Sequence, residues 1–251
     1  MKVLETKQLT KNFGGMTAVD NVTFQVEEGE LRTIIGPNGA GKTTFFNMIA
    51  GTLPPTHGEI WFKGENITTL SPHLISQRGI ARSYQIINVF PNLTVFENIR
   101  VASQSRKVIF NFWKDVRELE QINRKVMRLL ETLRLMERGE TLAANLPYGE
   151  QRHLEIGIAL ATEPQLLLMD EPTAGLTPEE TMRIMELIKV ISKGLTIILV
   201  AHDMDVVMTV SDSITVLHQG KILAEGSPGE IQGNEEVHRV YLGGQHYGEV
   251  T

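Results

Sequence analysis

Hydrophobic and polar positions alternate in the first third of the chain. Val22, Phe24 and Val26 are separated by polar residues, and a second short run with strand character covers 58–62. A period of two places successive side chains on opposite faces, which is typical of strands with one covered face. We therefore predict a β-rich first third, with a further strand in the apolar run 31–35.

Three later hydrophobic runs are continuous rather than alternating. They cover 166–169, 196–200 and 214–217 and are partly β-branched, as expected for parallel strands buried on both faces. A helical pattern at 178–193 separates the first two runs, and Pro178 stands at a first-turn position where proline is well tolerated. The second half of the chain is predicted to be α/β.

Hydrophobic residues fall at helical spacing between about 90 and 162, where the strand pattern stops. The residues that carry this spacing are Val116, Leu119, Ile122, Val126, Leu129, Leu130, Leu133 and Met136. Such a stripe is more typical of core packing than of a partner site. We predict one domain over 1–251, with a helical subdomain inserted at about 90–162.

A glycine-rich segment follows the predicted strand 31–35. Residues 36–44 read Gly-Pro-Asn-Gly-Ala-Gly-Lys-Thr-Thr and match the phosphate-loop pattern G-x-x-x-x-G-K-[ST]. Glycines let backbone N–H groups turn inward, so the loop and the next helix form an anion cradle. Lys42 is predicted to reach the β- and γ-phosphates, and Thr43 to bind Mg²⁺. The predicted nucleotide-binding residues of this loop are Gly36, Asn38, Gly39, Ala40, Gly41, Lys42, Thr43 and Thr44.

Two carboxylates end the apolar run 166–169. Asp170 and Glu171 follow it directly, at the kind of strand end beyond which α/β proteins bind ligands. Asp170 is predicted to hold Mg²⁺, and Glu171 to polarise the attacking water as general base. An acidic pair after a strand is often only a turn or a helix cap, but the phosphate loop favours the catalytic interpretation.

Two further polar residues follow predicted strands. His202 comes after the run 196–200 and could contact the γ-phosphate or orient Glu171. Gln85 ends a short β-like run and could give an amide oxygen to Mg²⁺ or to the attacking water. Either residue alone would more often be structural, so both predictions depend on the phosphate loop and the carboxylates.

Taken in order, these motifs resemble the ATP-binding-cassette (ABC) ATPases over nearly the whole chain. The phosphate loop, the Q-loop glutamine Gln85, the Asp170-Glu171 pair and the switch histidine His202 are joined by a signature at 146–152. Its residues include Pro147, Tyr148, Gly149, Glu150 and Gln151.

The resemblance to ABC ATPases implies a fold, ligands and an assembly. The fold is an α/β P-loop NTPase core with an N-terminal antiparallel β-subdomain and an inserted α-helical subdomain. The ligands are ATP and Mg²⁺, with Phe13 stacking on adenine and Val19 beside it, although Phe13 alone would more often be a core residue. The assembly is a head-to-tail dimer in which each ATP lies between one chain's phosphate loop and the other chain's signature.

A narrower likeness connects the chain to the ATPase subunits of branched-chain amino-acid importers. It rests on the segments 13–19, 90–98, 202–204 and 224–228. Of the two ATPases in such importers, the chain resembles the one with the longer helical segment, whose length comes from 104–125. The apolar cluster 108–113 inside it is either a packed loop or a surface presented to the permease.

The signature departs from the usual ABC pattern at its second position. The usual residue is Ser, whose hydroxyl donates to the γ-phosphate across the dimer, whereas this chain has Pro147. Losing one such donor could cost roughly 3 kcal/mol of transition-state stabilisation, or Pro147 could simply occupy the first turn of a helix. A heterodimer would then have one impaired site and a homodimer two. Thr177 also stands where many ABC proteins have Asp.

Composition limits the remaining alternatives. The 251 residues carry a net charge of −6 and no cysteine, which gives no reason to expect a nucleic-acid partner. With no signal peptide or long apolar stretch, we expect a cytoplasmic protein held at the inner face of the membrane by permease subunits. The alternatives are an importer ATPase for urea, amides or another solute, a non-transport ABC ATPase, and a regulatory nucleotide-binding subunit.

Overall fold

An antiparallel sheet forms the N-terminal part of the computed structural model, which describes residues 1–83, 89–104, 116–201 and 203–242. Its strands, in the spatial order β2-β1-β4-β5, are β1 (Lys2–Phe13), β2 (Met16–Glu27), β4 (His57–Phe62) and β5 (Glu65–Asn66). Val22, Phe24 and Val26 are all buried on one face of β2. The predicted alternation and the antiparallel β-subdomain are thereby confirmed.

A six-stranded sheet forms the centre of the molecule. Its strands are β3 (Leu31–Ile35), β6 (Ile80–Ser83), β7 (Leu166–Asp170), β8 (Thr196–Val200), β9 (Ser213–His218) and β10 (Lys221–Gly226). The order is β10-β9-β3-β8-β7-β6, and all neighbours are parallel except the antiparallel hairpin β9–β10. Every residue of β7 and β8 is buried, as the continuous apolar runs predicted.

The helices connect these strands. They are α1 (Lys42–Ile49), α2 (Pro72–Arg78), α3 (Val95–Gln104), α4 (Val116–Thr132), α5 (Tyr148–Ala161), α6 (Pro178–Ile191), α7 (Met204–Val210), α8 (Pro228–Gln232) and α9 (Glu235–Leu242). The predicted helix 178–193 is α6, which continues as a 3-10 turn at Ser192–Gly194. No helix in the described ranges is both long and apolar enough to cross a membrane.

Alternate residues of the central strands belong to two different cores. Leu166 and Leu168 of β7 face a core shared with α1 and the antiparallel sheet. Leu167 and Met169 of the same strand face a core shared with α3, α4, α5 and α6. Because successive side chains of a strand point to opposite faces, β7 packs against both halves of the molecule and ends at Asp170.

The region predicted to be a helical subdomain contains α3, α4 and α5, which pack against one another. Ile122, Val126, Leu130 and Leu133 of the hydrophobic stripe are buried, so core packing is confirmed for its central part. Leu119, near the start of the stripe, and Met136, at its end, are each 41% exposed. The cluster 108–113 lies outside the described residues, and the subdomain boundaries remain a prediction.

Candidate functional site

The phosphate loop joins β3 to α1, and two of its glycines are required by close approach of other backbone segments. Gly36 has φ +156° and Gly41 has φ +99°. A Cβ atom at Gly36 would collide with the carbonyl oxygen of Leu217, and one at Gly41 with that of Ala18. Both conformations disfavour side chains, so the sequence pattern corresponds to a tightly enclosed loop that turns into the N-terminus of α1.

Lys42 lies against the inside of this loop. Its side chain is buried, and Nζ donates hydrogen bonds to the carbonyl oxygens of Gly36 (2.6 Å) and Pro37 (3.1 Å). Burial lowers the pKa of the Lys42 ammonium, and the nearby carboxylates of Glu171 and Asp170 oppose that change. The Lys42 ammonium is therefore held at the loop, near both the predicted general base Glu171 and the predicted metal ligand Asp170.

The remaining loop residues differ in exposure. Asn38, Gly39 and Thr43 are exposed, Thr44 is half-buried, and Ala40 is buried. Thr43 is thus accessible on the first turn of α1, where a hydroxyl can approach a metal bound beside the loop.

Asp170 ends β7 as a buried carboxylate. One oxygen, Oδ2, accepts a hydrogen bond from Nη2 of Arg82 at 3.0 Å, and Nη1 of Arg82 donates to Oδ1 of Asn47 at 2.7 Å. Burial raises the pKa of the Asp170 carboxyl, and Arg82 opposes this rise. Arg82 therefore connects α1, β6 and β7 at the predicted metal carboxylate.

Glu171 leaves the strand in a left-handed conformation. Its φ is +48°, and its backbone N–H donates to the carbonyl of Val200 at 3.0 Å. A non-glycine residue with positive φ is uncommon and is often found at functional sites. The turn separates the half-buried Glu171 carboxylate from the buried Asp170, so the two acids have different surroundings.

Gln85 and His202 lie outside the described residues, and their roles remain predictions. Strands β6 and β8, which precede Gln85 and His202, have their carboxyl ends level with the end of β7, where the sequence predicted the site. Ser83 at the end of β6 pairs with Met169, and Val200 at the end of β8 pairs with Asp170.

Phe13 and Val19 occupy contrasting positions. Phe13 is 45% exposed at the end of β1, with Nζ of Lys11 5.4 Å from its ring centre, so the core alternative for Phe13 is wrong. Val19 is fully buried, and its Cγ2 atom would lie 3.4 Å from a Cβ built on Gly41. Val19 therefore packs close to Gly41 of the phosphate loop, whereas the ring of Phe13 is accessible to solvent.

The signature begins α5, with Pro147 at the N-cap and the helix itself starting at Tyr148. The first-turn position predicted for Pro147 is therefore off by one residue, because its ψ of 152° is extended rather than helical. Pro147 is exposed and Tyr148 is 46% exposed. Glu150 forms an ion pair with Nε of Arg138 at 3.1 Å, and Gln151 Nε2 donates to the carbonyl of Leu146 at 2.9 Å.

Gly149 of the signature lies beside a carboxylate of its own chain. A Cβ on Gly149 would be 2.6 Å from Oε1 of Glu180. The pKa of the Glu180 carboxyl is lowered mainly by its hydrogen bond from the Thr177 backbone and also by the backbone of Gly149. Within the signature, Gly149 therefore lies against the Glu180 carboxylate of its own chain.

Thr177 has a local structural role. It is the N-cap of α6, where its Oγ1 accepts from the N–H of Glu180 and its own N–H donates to Oε2 of Glu180. This reciprocal capping box can be recognised from Thr and Glu three residues apart. It positions the carboxylate that lies beside Gly149.

Two residues near the phosphate loop were missed by the sequence reasoning, namely Arg82 and Tyr241. Arg82 is a charged residue in a short strand, which could have suggested a buried partner. Tyr241 of α9 accepts a hydrogen bond through Oη from the N–H of Gly36 at 2.8 Å, and no local pattern indicates that contact.

The arrangement fits a nucleotide and Mg²⁺ better than a protein-only metal site. Within the described residues, no group of three or more His, Cys, Asp or Glu is placed to hold a metal ion. Mg²⁺ is commonly held by one or two carboxylates together with substrate phosphates. Asp170, Thr43 and the enclosed loop with its buried lysine supply these elements.

Comparison with known sequences decides the family. The sequence profile described as ABC transporter matches residues 19–174, more than half of the chain. The chain belongs to the ABC transporter family. A second profile, described as branched-chain amino acid ATP-binding cassette transporter, matches residues 221–247 of the cassette.

Curated relatives align with the cassette over nearly its full length. The high-affinity branched-chain amino acid transport ATP-binding protein BraF of Pseudomonas aeruginosa is 40% identical, covering 96% of this chain and 98% of the relative. LivG of Escherichia coli, which carries the same description, is 38% identical with the same coverage. A probable LivG of Methanocaldococcus jannaschii is 32% identical over 96% of this chain and 93% of the relative.

Solved structures of ABC cassettes share the fold. An ATP-binding cassette of an ABC transporter in its ADP conformation has a TM-score of 0.85 and 31% identity, covering 97% of this chain and 99% of that one. A dimeric cassette in a post-hydrolysis state with ADP and phosphate has a TM-score of 0.76 and 26% identity, covering 90% and 98%. The cassette is an ABC-type ATPase with the predicted α/β fold.

Proposed function

We propose that this ABC ATPase energises the import of branched-chain amino acids. The observation that carries the proposal is the nearly full-length similarity to ATP-binding proteins named for that transport, including the C-terminal segment 221–247. Tyr241, within that segment, accepts a hydrogen bond from the N–H of Gly36 in the phosphate loop, and Gly220, just before the segment, donates to the carbonyl of Ala40.

The proposed chemistry is transfer of the γ-phosphoryl group of ATP to water. Lys42 and the loop N–H groups would hold the phosphates, and Asp170, Thr43 and Gln85 would hold Mg²⁺, which when bound would neutralise charge on the phosphate oxygens. Glu171 accepts a proton from the attacking water, since it is the half-buried carboxylate next to the metal carboxylate. Phe13 provides an exposed ring on which adenine can stack.

We further propose that the working site is composite and that the cassette contributes its two halves unequally. The phosphate-loop half is complete, whereas the signature half has Pro147 in place of a hydroxyl donor and Glu180 beside Gly149. A second ATPase subunit with a serine signature would complete the site built on this chain's Lys42 and Glu171. Transmembrane permease subunits then place the pair at the inner face of the cell membrane.

Solute class can be tested by uptake into proteoliposomes that contain the cassette, its partner ATPase, its permease subunits and its solute-binding protein. We expect ATP-dependent accumulation of radiolabelled leucine, isoleucine or valine, which is lost with Glu171→Gln. Accumulation of urea or short amides with exclusion of leucine would contradict the proposed solute while leaving the ATPase assignment intact.

A further inference from the structure

The backbone of Gly36 is hydrogen-bonded on both sides by side chains, one from the next helix and one from the distant helix α9. Its N–H donates to Tyr241 Oη at 2.8 Å, and its carbonyl accepts from Lys42 Nζ at 2.6 Å. Gly36 is buried at the point where β3 turns into the phosphate loop. The position of this one residue therefore determines where the loop begins and where the Lys42 ammonium rests.

The β9–β10 hairpin supports the same loop at a second place. The N–H of Gly220, in the turn between the strands, donates to the carbonyl of Ala40 at 3.0 Å. The carbonyl of Gly220 accepts from the backbone N–H of Asp20 at 2.8 Å. The carbonyl of Leu217 occupies the space where Gly36 would carry a side chain. The β9–β10 hairpin thus lies directly against the phosphate loop.

Helix α9 is anchored so that its tyrosine has a defined position. Oδ1 of Asn234 accepts from the N–H groups of Glu236 and Val237 at the start of the helix. Val237 is buried, and Tyr241, one turn further along, packs against the core that contains α6 and α7. The tyrosine ring is therefore held by packing, and its hydroxyl is left to contact Gly36.

We propose that Tyr241 is a positioning residue of the nucleotide site, whose hydroxyl fixes the first peptide of the phosphate loop in the conformation that binds ATP. Removing the hydroxyl leaves the buried N–H of Gly36 without its acceptor, and a buried donor without a partner is unfavourable. The loop then relaxes towards other acceptors, and the lysine and N–H groups lose alignment with the phosphates. Through Tyr241 the C-terminal segment that matches branched-chain transporters takes part in ATP binding.

The test is Tyr241→Phe in the full chain, which keeps the ring and removes only the hydroxyl. Two measurements need no turnover: the Kd of a fluorescent N-methylanthraniloyl-ATP without Mg²⁺, and hydrogen exchange of peptides containing Gly36. We expect the Kd to rise about fivefold, the loss of one hydrogen bond, and one amide of the loop peptide to exchange faster before nucleotide is added.

Ile188→Val is the matched control, since Ile188 is fully buried on α6 and removal of one methylene lowers stability without touching the loop. This variant should lower the Tm and leave both loop measurements unchanged. A Tyr241→Phe chain that binds nucleotide as tightly as wild type, or that loses only Tm as the control does, would overturn the proposal. The inference rests on the proposed ATP site, and wild type failing to bind the nucleotide would refute that site instead.

Discussion

The phosphate loop and the beginning of α5, which we propose as the two halves of an ABC nucleotide site, are built differently. The loop contains its complete motif, with the buried Lys42 inside it, and the paired carboxylate of Asp170 stands at the end of β7 in the same sheet. The start of α5 has the exposed Pro147 at its N-cap, and its Gly149 lies beside Glu180. This contrast supports our proposal that the chain binds and hydrolyses its own ATP better than it completes the site of a partner.

The largest expected effect tests the phosphate-loop half. Glu171→Gln should lower ATP turnover by roughly 10²- to 10⁴-fold, because it removes the general base, while ATP binding persists. The measurement is steady-state phosphate release together with nucleotide affinity. Glu179→Gln, a matched change of an exposed carboxylate on α6, should leave turnover unaltered. Equal losses in both variants would mean that Glu171 is not the base.

The ion pairs of the two halves should also differ in how much they stabilise the fold. Arg82→Met removes the partner of the buried Asp170 and should lower the free energy of unfolding by about 3 kcal/mol. Arg138→Met breaks the half-exposed pair with Glu150 on the signature side and should cost less than about 1 kcal/mol. Urea unfolding measures the free energy of unfolding of both variants. Similar losses would mean that the ion pair beside the phosphate loop contributes no more to stability than the pair on the signature side.

Restoring a hydroxyl should strengthen the weaker half. Pro147→Ser is expected to raise ATP hydrolysis of an assembled homodimer several-fold, since it supplies a donor to the developing phosphate charge. Pro147→Ala is the control, because it removes the proline without adding the hydroxyl. An equal rise in both variants would assign the effect to the helix start instead.

The smallest expected effect is a pH dependence of stability in the signature helix. His153 on α5 hydrogen-bonds through Nδ1 to the carbonyl of Leu133 at 2.9 Å, and burial lowers its pKa. As the pH falls, His153 therefore takes up a proton in the unfolded chain before it does so in the folded chain. Its contribution to the free energy of unfolding is fully present above the ordinary histidine pKa and is lost as the pH drops below that value. His153→Gln should reduce this fall, by roughly 2 °C in Tm.

Much of the fold was predictable because continuous or alternating hydrophobic runs are local signals. The strands at 31–35 and 196–200 lie where the runs predicted them, and the motif order indicated the site. The contacts that hold the site are not local: Arg82 and Asp170 are 88 residues apart, and Gly36 and Tyr241 are 205 apart. Only packing of the completed sheet brings such pairs together, so no periodicity shows them.

The capping box at α6 is an intermediate case. Thr177 and Glu180 form a recognisable local pattern, and the departure from Asp at 177 drew attention to that place in the sequence. The pattern does not show that Oε1 of Glu180 lies beside Gly149, because α5 and α6 meet only in the folded chain.

The unequal construction of the two halves is tested most directly by steady-state ATP hydrolysis of the purified chain, alone and mixed with a second ATPase subunit that has a serine signature. We predict weak hydrolysis by the chain alone and a marked rise on mixing, with the rise abolished by Glu171→Gln in this chain. Brisk, Glu171-dependent hydrolysis by the chain alone, unaffected by the partner, would contradict the account and show that Pro147 does not impair the site.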